Sequence, residues 1–296
     1  MTTAEVLRRA TAHLAQTSDT SRLDAELLLA HALGSSRIEL YTDFDRPLDA
    51  AELDAYRGLV ARRARHEPVA YLLGEWGFRR LTLAVDARAL IPRPETEVVA
   101  GRCLELLRGL ETPHVLDVGT GTGAIALAIA DEQPGAVVRA IDDSRDALDL
   151  AGENVRRTGL PVELLLHDFH DGLPGGPYDL VVSNPPYVEP ADVATLMPDV
   201  RDYEPHVALV GDGAYEAIAD GARRVLQPGG ALVLEVGAGQ SDRVAALLTE
   251  LGYEGVLVTD DLAGRDRVVE GRRSGGGRAC PGRRPCMLLP KRSATG

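Results

Sequence analysis

The segment that most restricts what this chain can fold into is Val115-Leu116-Asp117-Val118, followed by Gly119-Thr120-Gly121-Thr122-Gly123 and an alanine-rich run over 124–130. A short apolar run bounded by glycines reads as a buried strand, and the small-residue run after it reads as a helix lying close on a sheet. The loop between them tolerates a tight turn and lets the backbone approach a ligand. Val138-Arg139-Ala140-Ile141-Asp142 is a second strand, ending in an acid about 20 residues past the loop, the spacing of a carboxylate that grips ribose hydroxyls. These two elements alone suit a nicotinamide dinucleotide as well as S-adenosyl-L-methionine.

The tetrapeptide Asn184-Pro185-Pro186-Tyr187, at the end of the apolar run Leu180-Val181-Val182, separates the two. A residue before proline is pushed toward extended geometry, so Asn184 is expected to continue the strand and project its amide from the carboxyl end. Pro185 and Pro186 stiffen the exit. The Asn184 side-chain oxygen and the Pro185 carbonyl can together accept both protons of an amino or amide nitrogen, and Tyr187 offers a flat face to a planar acceptor. That is a device for aiming a planar NH2 group, and it favours methyl transfer from S-adenosyl-L-methionine over hydride chemistry. An Asn before Pro can also merely start a turn.

With these motifs the chain resembles the peptide chain release factor glutamine methyltransferases, the PrmC/HemK family. The resemblance extends over Glu67-Pro68-Val69-Ala70-Tyr71-Leu72-Leu73-Gly74, Leu90-Ile91-Pro92-Arg93-Pro94-Glu95-Thr96-Glu97, the glycine loop, Val182 to Tyr187, Leu234-Glu235-Val236-Gly237 and Asp261-Leu262-Ala263-Gly264-Arg265-Asp266-Arg267. It implies a Rossmann-like class I S-adenosylmethionine-dependent methyltransferase sheet, of the α/β class, with an N-terminal helical bundle. It also implies release factors as the protein substrate, methylated on the glutamine amide of a Gly-Gly-Gln tripeptide in support of translation termination. Asn184, Pro185 and Tyr187 would be catalytic, with Pro186 also touching substrate. Gly119, Thr120, Gly121, Thr122, Gly123, Asp142 and Asn184 would hold the cofactor. Phe169 stands where the family has an aromatic, commonly Trp, against the adenine region; ordinary core packing is its other reading. A ribosomal-protein glutamine, a DNA or RNA adenine amino group and a non-catalytic binding module are the competing readings.

Composition limits these alternatives. Formal net charge is −13, and residues 271–296 hold seven basic residues and no acids, which leaves −20 on residues 1–270. Such a body repels a phosphate backbone, so direct nucleic-acid binding is disfavoured and a basic protein partner fits better. No charged, apolar leader opens the chain and no apolar run approaches the ~18 residues of a membrane span, so a cytoplasmic protein without membrane association is expected; a monomer is the expectation for its assembly. Cys103, Cys280 and Cys286 form neither a disulfide framework nor a zinc spacing.

Residues 1–75 show helical spacing without strand pattern: Val6, Leu7, Ala10 and Leu14, then Leu23, Leu27, Leu28 and Leu33 after the capping candidates Asp19-Thr20-Ser21, and a third helix over 50–65. This bundle is expected to recognise substrate. Alternation at Leu81, Leu83 and Val85 marks a strand over 77–86 in a hairpin or linker (76–95), and 96–270 form the catalytic domain, with a helix over 95–110. A helix over 145–158 and strands at 162–166 and 231–236 complete a mostly parallel sheet. Residues 189–210 have no clean period and read as a loop bordering the site; 271–296 read as a disordered basic tail. Asp142 could instead cap the next helix, as could Asp143 or Ser144. His167 and His170 have no convincing ligand set around them. Asp117 is expected to organise the glycine loop, while Arg93, Glu95, Glu97 and Glu235 match the family pattern without an assigned role.

Overall fold

The computed structural model describes residues 1–211 and 213–275. Five helices come first: α1 (Thr3–Leu14), α2 (Ser21–Leu33), α3 (Arg37–Thr42), α4 (Ala50–Arg63) and α5 (Val69–Leu73). Three of them start on a reciprocal cap, Thr2 with Glu5, Ser36 with Glu39 and Asp49 with Glu52, each satisfying two backbone N–H groups that the first turn leaves free. Leu7, Leu14, Leu28, Leu29 and Tyr56 form their common core. The buried face of α2 lies one step round from the expected one: Ala25, Leu28 and Leu29 point inward, whereas Leu23 is 38% exposed. Thr20 is the N-cap residue of α2 but makes no side-chain cap; its hydroxyl donates to Asp24 Oδ1 at 2.8 Å. Asp24 in turn accepts from Arg63 Nε at 2.7 Å, a buried ion pair that ties α2 to α4.

The hairpin β1 (Glu75–Phe78) and β2 (Leu81–Ala84) follows, paired antiparallel, and Trp76 packs back on the helical core. Then come α6 (Pro94–Leu107), β3 (His114–Val118), α7 (Ala124–Glu132), β4 (Val137–Asp142), α8 (Arg145–Thr158), β5 (Val162–Leu166), β6 (Tyr178–Ser183), α9 (Pro198–Tyr203), α10 (Ala214–Val225), β7 (Leu226–Glu235), α11 (Ser241–Glu250), β8 (Tyr253–Asp260) and β9 (Asp266–Arg273). The seven-stranded sheet runs in the order β5-β4-β3-β6-β7-β9-β8, with β9 antiparallel to both neighbours and the five strands from β5 to β7 parallel. Helices cover both faces, one core layer lying against α6 and α7 and the other against α10 and α11. Cys103 is wholly buried in the first of these layers.

Two expectations are corrected. Residues 189–210 are not wholly irregular: within the segment short 3-10 turns, Pro190–Thr195 and His206–Ala208, flank α9. Pro190, Pro198 and, in α6, Pro94 stand in first turns, where a missing N–H costs nothing. Residues 271–273 belong to β9, with Gly271 opposite Leu232 and Arg272 opposite Ala231, so the chain stays in the sheet past the expected start of the tail. The expectations for 276–296, including Cys280 and Cys286, lie outside the described residues. Among the described residues no helix is long and apolar enough to cross a membrane.

Candidate active site

After β3 the chain builds outward through β4 and β5, then returns to place β6 on the other side of β3. The carboxyl ends of β3 and β6 therefore diverge at a switch point, where open α/β sheets hold ligands. The glycine loop leaves β3 there. Gly121 and Gly123 have φ of 55° and 82°, values at which a side chain is strained. The backbone N–H groups of Gly119 and Thr120 both donate to Ile141 O, at 2.9 and 3.0 Å, which fastens the loop to β4.

Two carboxylates hold the loop in shape. Asp117, 1% exposed inside β3, accepts from the Thr120 hydroxyl at 2.6 Å and from Ala126 N–H at 3.2 Å through Oδ2. Its Oδ1 is buried without a partner among the described residues, and burial pushes its pKa up to about 7 against those two bonds. Asp142 accepts from Gly121 N–H at 2.9 Å with one oxygen and from Ser144 N–H at 3.0 Å with the other. Burial raises its pKa, and the two N–H groups oppose the rise. The N-cap of α8 is Ser144, so Asp142 faces the loop rather than serving as the cap.

A cavity of about 310 Å3 opens between these ends, lined by Gly119 to Thr122, Asp142, Phe169, Asn184 and Pro186, among others. Gly123, Pro185 and Tyr187 are not on its wall. Gly123 instead starts α7, and Pro185 is buried. Phe169 lies half-buried, its ring centroid 4.4 Å from that of His170, and also packs against the core behind. Phe169 thus lines the cavity and packs on the core at once. His167 places Nε2 at 2.8 Å from Gly172 O and closes a loop.

Tyr187 departs from the expected placement. Its Cδ2 would stand 3.0 Å from a Cβ on Gly237, its carbonyl accepts from Gln240 Nε2 at 3.1 Å, and its ring packs on the core beneath β7 and α10. It borders a separate recess of about 20 Å3 shared with Gly211, Tyr215 and Gln240. Burial raises its pKa, and the nearby Glu235 carboxylate adds to that. Tyr187 therefore buttresses the exit of the Asn-Pro-Pro segment from behind. The sequence suggested a flat face because the tetrapeptide specifies backbone stiffness and residue type, not which side of the strand end the ring folds onto.

Asn184 continues β6 as expected and lies on the cavity wall. Its Nδ2 donates to Thr96 Oγ1 at 3.3 Å, and the Thr96 hydroxyl donates to Glu235 Oε2 at 2.7 Å. Glu235 is 1% exposed; burial lifts its pKa to about 7, against the Thr96 hydroxyl and the Arg267 charge. Arg93, also on the wall, pairs with the buried Glu204 from the segment after α9. Glu97 accepts from Arg79 N–H at 2.9 Å and serves the hairpin instead.

Sequence reasoning missed Thr96, Glu204 and Asn154. Asn154 is wholly buried; it exchanges two hydrogen bonds with the Ala84 backbone, at 2.7 and 3.0 Å, and donates to Thr122 O at 3.0 Å, coupling hairpin to glycine loop. A signal for it existed: it falls on the Ala147, Leu150, Ala151 face of α8, where a polar residue requires a partner. Glu204 offered none, as its partner is 111 positions away.

Two family models match: PrmC N-terminal domain over residues 5–74 and methyltransferase small domain over residues 102–199. The release factor glutamine methyltransferase of Geobacter sulfurreducens is 43% identical over 258 residues, covering 86% of this chain and 90% of that protein. That of Xylella fastidiosa strain Temecula1 is 44% identical over 273 residues, covering 90% and 96%. Among solved structures, a T. thermophilus 16S rRNA N2 G1207 methyltransferase in complex with AdoMet and guanosine shares the fold, with a TM-score of 0.50 at 19% identity over 67% of this chain and 49% of that one. By the extent and level of these matches, the chain belongs to the release factor glutamine methyltransferase family.

Proposed function

We propose that this enzyme methylates the side-chain amide nitrogen of the glutamine in the Gly-Gly-Gln tripeptide of peptide chain release factors, with S-adenosyl-L-methionine as methyl donor. The observation that carries this reading is one cavity walled by the glycine loop and Asp142 on one side and by Asn184 on the other. The residues present fit the donor. Asp142 keeps acceptor capacity beyond its two N–H partners for ribose hydroxyls, Phe169 and Ala147 supply apolar surface for a base, and Asp142 with Asp143 suits a cationic ligand. When bound, S-adenosyl-L-methionine supplies an activated methyl group on a sulfonium.

The chain's own residues supply orientation. An amide nitrogen is a poor nucleophile because its lone pair is delocalised into the carbonyl. Asn184 Oδ1, on the cavity wall, accepts an amide proton, which directs lone-pair density toward the methyl group and helps hold nitrogen and carbon in line. A near-attack arrangement of this kind is worth up to about 7 to 11 kcal/mol. The walls over the cavity, from Arg93 and Pro205 to Val210, keep water from the reacting atoms.

The helical unit, with its own core, serves as the recognition element for the protein substrate. Tyr203 donates to Arg65 O at 2.8 Å and Arg63 lies 3.9 Å from Asp199, which joins that unit to the segment bordering the cavity. The acidic body favours a protein over a nucleic-acid substrate, and the enzyme acts as a cytoplasmic monomer. The test is incubation with labelled S-adenosyl-L-methionine and, separately, release factor, ribosomal protein and DNA, followed by mass mapping. Label on the Gly-Gly-Gln glutamine is expected; label confined to another substrate overturns the reading.

A further inference from the structure

Val182 and Val233 sit opposite one another on the parallel strands β6 and β7 and face the core layer against α6. Two residues further on, the strand period returns Asn184 and Glu235 to the same face. The first turn of α6 lies over that face and inserts Thr96 between them. The resulting chain runs from Asn184 Nδ2 to Thr96 Oγ1 to Glu235 Oε2, with Thr96 and Glu235 both buried.

A threonine hydroxyl has one proton. Here Glu235, in its ionised form above about pH 7, takes it at the shorter of the two distances, so the oxygen presents only lone pairs to Asn184. Only the NH2 end of the Asn184 amide can meet a lone pair favourably. Turning the amide over would set its oxygen against the Thr96 oxygen and lose the bond, at a cost for groups so well buried. The acceptor end of Asn184 is thereby left for the ligand, and no donor among the described residues occupies it.

We infer that Thr96 and Glu235 are positioning residues for the methyl-transfer reaction: they select the amide orientation in which Asn184 presents its oxygen, and not its NH2, to the substrate nitrogen. This rests on the glutamine-amide reading above. The selection matters because a reversed Asn184 would offer two protons to a nitrogen that itself bears two. Binding of the cofactor, which the glycine loop and Asp142 carry out, does not depend on it.

The experiment pairs Thr96→Val, which keeps the shape and removes the hydroxyl, with Thr96→Ser, which keeps the hydroxyl. Single-turnover methylation of a release factor is expected to slow about tenfold in Thr96→Val, or about 1.4 kcal/mol, with cofactor affinity and the KM for release factor unchanged, and to recover in Thr96→Ser. Glu235→Gln retains an acceptor oxygen and is expected to lie nearer wild type than Glu235→Leu, which frees the Thr96 proton to turn toward Asn184. Wild-type rate in Thr96→Val, or equal loss in Thr96→Val and Thr96→Ser with unchanged melting temperatures, would overturn the inference. A second readout needs no turnover: the side-chain amide resonances of Asn184 in 15N-labelled protein, assigned by their absence in Asn184→Ala. One proton is expected to be protected from exchange in wild type and Thr96→Ser and unprotected in Thr96→Val; equal exchange in all three overturns the inference even if the wild type proves to methylate something other than a release factor.

Discussion

Asp142 and Gly121 are joined by a 2.9 Å hydrogen bond from the glycine N–H to the carboxylate, so the acid at the end of β4 and the middle of the glycine loop are one unit. Removing the acid removes the support of the loop and, on the proposed reading, a ribose contact as well. Asp142→Ala is therefore expected to weaken S-adenosyl-L-methionine binding by at least the roughly 1.5 to 3 kcal/mol of a charge-assisted hydrogen bond. Asp142→Asn keeps one acceptor oxygen and is expected to lose less. Calorimetric titration of both variants checks the order, and NADH in the same cell is expected to show no binding.

Asn184→Ala is expected to abolish methyl transfer while leaving the fold and most cofactor affinity intact, because Ala keeps the strand and both prolines and removes the acceptor together with the single Nδ2 bond to Thr96. Single-turnover rates set beside a cofactor titration separate the two effects. Near wild-type turnover in this variant would refute the proposed mechanism.

Tyr187 packs on Gly237 and the core instead of lining the cavity. Tyr187→Ala is accordingly expected to lower both activity and stability, the latter by about 3 kcal/mol, the low end for an aromatic that is only half-buried, and with it the melting temperature. Tyr187→Phe keeps the packing and is expected to stay close to wild type in both. Differential scanning calorimetry with rate measurements distinguishes this buttress from a ring that touches substrate, which would lose activity without stability.

Asp117 has its pKa raised by burial to about 7, above the unfolded value near 3.8. Between those values the folded state binds more protons than the unfolded one, so this group's contribution to stability is complete below pH 4 and is lost as pH rises through 7, with a limiting slope of about 1.4 kcal/mol per pH unit. Asp117→Asn removes the titration. Urea unfolding of both proteins from pH 4.5 to 7.5 is expected to show wild-type stability falling relative to the variant as pH rises; the opposite trend would mean that the ionised acid stabilises the loop.

Deleting residues 1–74 removes the five helices and uncovers Trp76, which packs on their core. The remaining chain is expected to keep cofactor affinity, since every cavity residue lies beyond position 87, and to lose release-factor methylation. Full methylation by a folded, monodisperse truncated protein would place recognition elsewhere.

The glycine loop, Asp142 and the position of Asn184 at a strand end were legible in the chain because each depends on a few consecutive residues whose backbone preferences and apolar period are local. Three of the five helices of the first 73 residues, α1, α2 and α4, were legible for the same reason, whereas α3 and α5, of six and five residues, are too short to show a period. The face of α2 that turns inward was not legible, since burial depends on what packs against it. Only the tertiary structure decided which end of the Asn184 amide faces the cavity, where the Tyr187 ring rests and that Arg93 meets Glu204. The partners they meet, Thr96 and through it Glu235 in the case of Asn184, stand on different elements, 88 residues apart in one bond and 139 in the next. Such side-chain pairings follow from strand order, register and the seating of α6, none of which a local pattern of residue types encodes.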